Sequence, residues 1–142
     1  FMYSRIIPKI EGLGYTVLDP WKLTPEKLIQ PVLDMPMGIE KNLALKKMNF
    51  TIGENNDKAI QIATGLLAIL DGVDVDSGTA SEIGGASMLG KKILGYRGDF
   101  RLSSENTGSI VNMQVEYFIK RNGGKIITKI DDLQKELKLL FG

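Results

Sequence analysis

The chain of 142 residues contains no cysteine and no histidine. The first absence excludes disulfides, thiolate metal sites and cysteine nucleophiles. The second removes Ser-His-Asp catalysis, the commonest general base and the usual zinc sites. Any chemistry must rest on carboxylates, lysine, tyrosine or amides. Charge of one sign is lacking too, since 18 basic and 17 acidic residues leave a formal net charge of +1. A protein that grips long nucleic acid through its phosphates needs a basic excess, so a small, locally recognised ligand is expected instead. The lysines between Lys41 and Lys47 read as a solvated helix face. No run reaches the ~18 apolar residues of a membrane span and no signal peptide opens the chain. No membrane association and a cytoplasmic location are the expectations.

What is present is ordinary for a globular protein: 43% apolar and 25% charged residues. The length suits one substantial core, and no linker, repeat or low-complexity tract interrupts it, so a single domain over residues 1–142 is expected. Helical and strand patterns alternate. Residues 1–13 read as the end of a helix closed by Gly12 and Gly14. Residues 15–18 read as a short strand stopped by Asp19-Pro20, and 24–34 as a helix with Thr24 as cap and Pro25 at its first position. Helical character resumes over 39–49 and again over 55–64. The continuous apolar run from Gly65 to Leu70 predicts a strand buried on both faces. A helix over 79–90, a strand over 92–96, a helix over 110–121, a strand over 124–128 and an amphipathic helix over 130–140 complete the pattern. Strands separated by helices imply βαβ units, hence an α/β fold with a parallel sheet and helices on both faces. Such domains ordinarily begin with a central strand, so a first strand of ~5–8 residues is expected to be missing ahead of Phe1.

Ligands of open parallel sheets bind beyond the carboxyl ends of the strands. After the strand ending at Leu70 come Asp71, Asp74 and Asp76, a turn of small residues, and Glu82 in the first turns of a helix. Backbone N–H groups at that helix start stabilise an anion. Two neighbouring carboxylates, Asp76 and Glu82, perturb each other's protonation, so one can act as nucleophile while the other handles a proton or a hydroxyl. Structural readings stand beside this one. Thr79-x-x-Glu82 fits a capping box, in which Glu82 bonds back to its own helix start. The three aspartates fit a solvated turn. The spacing of a calcium loop is incomplete, and the glycines match neither dinucleotide nor P-loop fingerprints. The residues alone stop at a carboxylate site on a strand–helix turn.

Val75-Asp76-Ser77-Gly78-Thr79-Ala80-Ser81-Glu82-Ile83-Gly84, following an apolar strand, closely resembles the signature of nucleoside 2-deoxyribosyltransferases. Three further segments resemble that family in the same order: Asn55-Asn56-Asp57, the stretch from Gly90 to Arg101, and Val111-Asn112-Met113-Gln114. The resemblance runs from about Gly14 to Thr128. It implies a flavodoxin-like, Rossmann-like three-layer sandwich with five parallel strands, four of them visible here. It further implies that Glu82 attacks C1′ of deoxyribose, that Asp76 binds the sugar hydroxyls and positions Glu82, and that Asp57 contacts the nucleobase and handles its proton. Ser77 and Gly78 fall in the substrate-binding turn. Asn112 would reach into a neighbouring subunit's site, with Gln114 lining it, so a homo-oligomer with shared sites is implied. The partners are deoxyribonucleosides and free nucleobases, and the chemistry requires no metal and no cofactor. Ser81 and Gly85 replace aromatic residues that many relatives carry, which implies a roomier pocket. Thr64 replaces an aspartate. The aromatic residue and Gly-Pro turn of the family's first strand have no counterpart here. Two alternatives accompany the transferase reading: an N-glycoside hydrolase of deoxynucleoside 5′-monophosphates or nucleosides, with Ser103, Ser104 or Arg101 holding phosphate, and a catalytically silent nucleotide-binding module.

Overall fold

Gly65–Ile69 (β1), Lys92–Tyr96 (β2) and Lys125–Ile127 (β3) form a parallel sheet in the order β1-β2-β3. Leu66 pairs with Ile93, Ile69 with Tyr96, and Tyr96 in turn with Ile127. The computed structural model describes residues 1–142 and divides them into two compact units, residues 1–16 with 63–142, and residues 17–62.

In the first unit β2 is the central strand, and Ile93, Leu94, Gly95 and Tyr96 are all buried. Burial on both faces explains the unbroken apolar run. Ser77–Met88 (α5) connects β1 to β2, and Met113–Lys120 (α6) connects β2 to β3. Because the strand order advances in one direction, both crossovers put their helices on the same face, and α5 packs against α6. On that face a Cβ at Gly95 would lie 2.7 Å from Leu70 Cδ1 and 3.3 Å from Ile119 Cδ1 of α6, so a side chain there would have to displace both. The opposite face takes Leu133–Phe141 (α7), whose Phe141 ring lies where a side chain at Gly65 would point. Ile7–Glu11 (α1) packs against α7 and follows a turn of wider helix over Met2–Ile6. Leu70, Ile83, Ile93, Leu94, Ile119 and Leu133 are fully buried between these layers. Each contributes roughly 1.5–3 kcal/mol relative to exposure.

The second unit is helical: Pro20–Leu23 (α2), Glu26–Leu33 (α3) and Ile39–Ile62 (α4), with α2 and α3 both packed on α4.

Several expectations need correction. The sheet has three strands rather than four, because residues 15–18 join no ladder. Asp19 spends its carboxylate capping α2 through the Trp21 N–H at 3.1 Å, and Pro20 has no N–H to offer a neighbouring strand. A five-stranded sheet is accordingly not what these residues build. Thr24 does not cap α3. Pro25 holds the cap position without a side-chain bond, and the buried Thr24 hydroxyl accepts from Asn55 Nδ2 at 2.9 Å. The two helical stretches at 39–49 and 55–64 are one helix of 24 residues. Gly53, inside it, costs about 1 kcal/mol against alanine and does not break it. No helix is long and apolar enough to cross a membrane.

Candidate active site

The carboxyl ends of β1 and β2 are joined by polar side chains. Arg97, the residue after β2, is only 1% exposed although it is charged. Its guanidinium donates to the carbonyl of Leu70, to Gly72 O at 3.2 Å and to Arg101 O at 2.6 Å. One buried cation thus ties together three carbonyls from two loops, and its bond to Leu70 is fully buried. Asp71 closes the same gap from the other side, with Oδ1 accepting from Gly98 N at 2.6 Å and Asp99 N at 2.9 Å. Asp99 and Arg101 form a two-pronged ion pair, and the Arg101 guanidinium holds the Asp99 carboxyl far below the usual carboxylate range. Asp71, Gly98, Asp99, Phe100 and Arg101 line an open depression of about 520 Å³ beside these strand ends.

Beyond Gly72, whose φ of +118° suits glycine, the chain turns into α5. Asp76 is the cap of that helix: its Oδ2 accepts from Thr79 N at 3.0 Å. Gly78 packs close beside it: a Cβ there would lie 3.1 Å from the same carboxylate oxygen and would press on it. Ser77 is exposed in the first turn, and its carbonyl accepts from Ser81 Oγ at 2.9 Å. Thr79 is therefore the third residue of the helix and not its cap, so the capping-box reading of Thr79 and Glu82 is overturned. Glu82 lies a full turn beyond that position, too far along to bond back to the helix start.

Helical side chains tilt toward the N-terminus of their helix, so Glu82 leans toward the capping end of α5. It is half-buried, and its carboxyl is pushed above the ordinary range. Burial is the larger cause and the negative charge of Asp76 the second. No hydrogen bond to the carboxylate opposes either effect. Two carboxylates in unlike surroundings, one capping and one desolvated, are what separate acid/base or nucleophilic roles require.

The start of α6 faces the same sheet edge, since both helices follow the carboxyl ends of parallel strands. Asn112 caps it, with Oδ1 accepting from Gln114 N at 2.9 Å and Val115 N at 3.3 Å. The Asn112 amide N–H₂ donates to Glu105 Oε1 at 2.5 Å. Gln114 is exposed on the first turn of α6. Asp76, Ser77, Gly78, Glu82, Asn112 and Gln114 thus share one edge of one unit. Asp57 belongs to the other unit, exposed on α4, where its Oδ2 accepts from Gln61 Nε2 at 2.8 Å. Nowhere do three or more metal-type side chains converge. Sequence reasoning passed over Arg97 and Glu105 and treated Asp71 as a turn residue. An arginine closing an otherwise apolar strand run was the available signal for Arg97; Glu105 carried none.

A family model described as nucleoside 2-deoxyribosyltransferase matches residues 2–116. No curated protein matches significantly. Among solved structures, the crystal structure of a conserved protein from Enterococcus faecalis aligns with a TM-score of 0.50 at 22% identity, covering 91% of this chain and 75% of that one. At that identity the likeness concerns the fold alone.

Proposed function

This chain belongs to the nucleoside 2-deoxyribosyltransferase family, and from that premise we propose that it moves 2-deoxyribose between nucleobases by a retaining double displacement on Glu82. The observation that carries the reading is a half-buried carboxylate, free of capping duty, beside a second carboxylate at a strand–helix turn.

In the first step a Glu82 carboxylate oxygen bonds to C1′ of the nucleoside, and the bond from C1′ to the base nitrogen breaks. The electron pair of that bond leaves with the base, which takes up one proton. In the second step an incoming base bonds to C1′ through its nitrogen and gives up its proton. The ester bond to Glu82 breaks and its electrons restore the carboxylate. Two inversions give net retention, as in glycosidases that use a carboxylate nucleophile. The transition state is oxocarbenium-like, so a negative charge beneath C1′ stabilises it. Asp76 holds the sugar hydroxyls, Ser77 and Gly78 shape the turn under the sugar, and Asn112 with Gln114 completes the site of a neighbouring subunit in a homo-oligomer.

The monophosphate-hydrolase alternative finds less support. The Ser104 hydroxyl is bound to the carbonyls of Asn106 and Ser109, and Arg101 is paired with Asp99. Of the three residues that could hold a phosphate, only Ser103 has an unpartnered hydroxyl, and that oxygen is buried.

Incubation with deoxyinosine, with and without adenine, tests the proposal by chromatography of the products. Deoxyadenosine formed only when adenine is present supports transfer. Equal release of hypoxanthine in both tubes identifies a hydrolase, and no change in either tube removes catalysis altogether.

A further inference from the structure

We propose that Glu105 is a positioning residue for this transfer, fixing the amide of Asn112 so that one of its N–H bonds faces away from its own helix. The inference rests on the role given above to Asn112.

A helix cap needs only an oxygen. Aspartate or serine would accept from the Gln114 and Val115 N–H groups as well as asparagine does. What asparagine adds is its N–H₂ group, and Glu105 is bound to that group. The two backbone donors force Oδ1 toward the helix, so the nitrogen must face the other way. One of its N–H bonds goes to Glu105 Oε1 at 2.5 Å. The planar amide then fixes the direction of the second N–H bond. Glu105 Oε2 meanwhile accepts from Met113 N at 3.2 Å, which ties the carboxylate to the same helix start.

The segment carrying Glu105 is braced from within. Ser104 Oγ donates to Ser109 O at 2.6 Å, Gly108 N donates to Asn106 Oδ1 at 2.8 Å, and Ser103 N donates to Ile110 O at 3.3 Å. Glu105 is exposed and forms no ion pair with a cation. Its two hydrogen bonds to the α6 start are therefore its structural commitment. A group that must hold a sugar or a reacting carboxylate within a fraction of an ångström needs such support, because small misplacements are costly in rate.

A double-mutant cycle on transfer kinetics tests this, read beside thermal melts of each variant. Asn112→Ser keeps the cap oxygen and removes the amide, so it is expected to melt near the wild type and to transfer slowly. Glu105→Ala is expected to lower kcat about 10-fold in the wild type and to have no further effect in the Asn112→Ser background. Glu105→Gln keeps an oxygen for Asn112 and is expected to recover most of the lost rate. Equal losses from Glu105→Ala in both backgrounds, or Glu105→Gln as slow as Glu105→Ala, would overturn the inference. Slow Asn112→Ser beside an unimpaired Glu105→Ala sinks this inference alone. Wild-type rates in Asn112→Ser, or no turnover by the wild type, sink the parent reading and this inference with it.

Discussion

A half-buried carboxylate facing a second carboxylate costs folding free energy whenever it is ionised, and Glu82 is in that position. Its proton affinity is higher in the folded chain than in the unfolded one. Its favourable contribution is therefore fully present below the unfolded pKa and is lost as pH rises through the raised folded value. Glu82→Gln, neutral at every pH, is expected to melt above the wild type at pH 7, with the gap closing on acidification below the ordinary carboxylate range. Melting curves across pH check this, and a gap that widened in acid would contradict it. Activity has the opposite dependence, because the nucleophile must be ionised. Transfer should fail on its acid limb at a higher pH than an ordinary glutamate would give. Glu82→Ala should lower transfer by at least ~10³-fold, and intact-mass detection of a deoxyribosyl adduct on the wild type alone would place the bond. At this scale the sequence was legible wherever a residue type carries chemistry by itself. Asp76 and Glu82 could be picked out from a strand end followed by small residues. The alternative use of Glu82 in a capping box could not be dismissed from spacing, because which residue caps a helix depends on where the backbone first turns.

Helix α5 shows the same limit at the scale of an element. Its start was expected at residue 79 and lies at Ser77, since Asp76 and not Thr79 accepts the first free N–H. Strands β1 and β2 were legible because the unbroken apolar runs from Gly65 to Ile69 and from Ile93 to Tyr96 have few other uses in an α/β chain. Residues 15–18 misled because local β propensity gives no account of whether a partner edge is within reach. The Asp76 cap makes a separable prediction. Asp76→Ala removes it and should cost about 0.5–2 kcal/mol. Asp76→Asn retains it and removes only the charge. Denaturant titration should show a loss for the first and little change for the second. The pH–rate profile of Asp76→Asn should keep its shape while its acid limb moves to lower pH, because one of the two causes raising Glu82 is gone. Between the strands, Arg97→Met would leave the buried Leu70 carbonyl without its partner and untie two others, and should destabilise by about 2–4 kcal/mol, read as a lower urea midpoint.

For the whole molecule, the near-balance of charge was the most informative global property of the sequence. It argues for a small neutral ligand, whose KM should change less than about 2-fold between 50 and 200 mM salt, where phosphate-gripping proteins lose orders of magnitude. The division into two units was not legible, because no linker separates them and the second unit is inserted between two segments of the first. Nor does a single chain reveal shared sites. Mixing Glu82→Ala with Asn112→Ser subunits would do so. If each site takes its asparagine from the neighbour, random dimers should regain about a quarter of wild-type activity, and an unchanged sum of the two parents would show that each site is self-contained.

The doubling of duties at Asp76 has a consequence for how this chain can adapt. The oxygen that starts α5 belongs to the charge that lifts Glu82, so tolerance of acid and tolerance of heat are inherited through one codon. A lineage moving into acidic surroundings would gain activity by neutralising that position, yet only short polar replacements leave the helix its first anchor. Variation there should be confined to asparagine, serine and threonine, whatever the rest of the turn does.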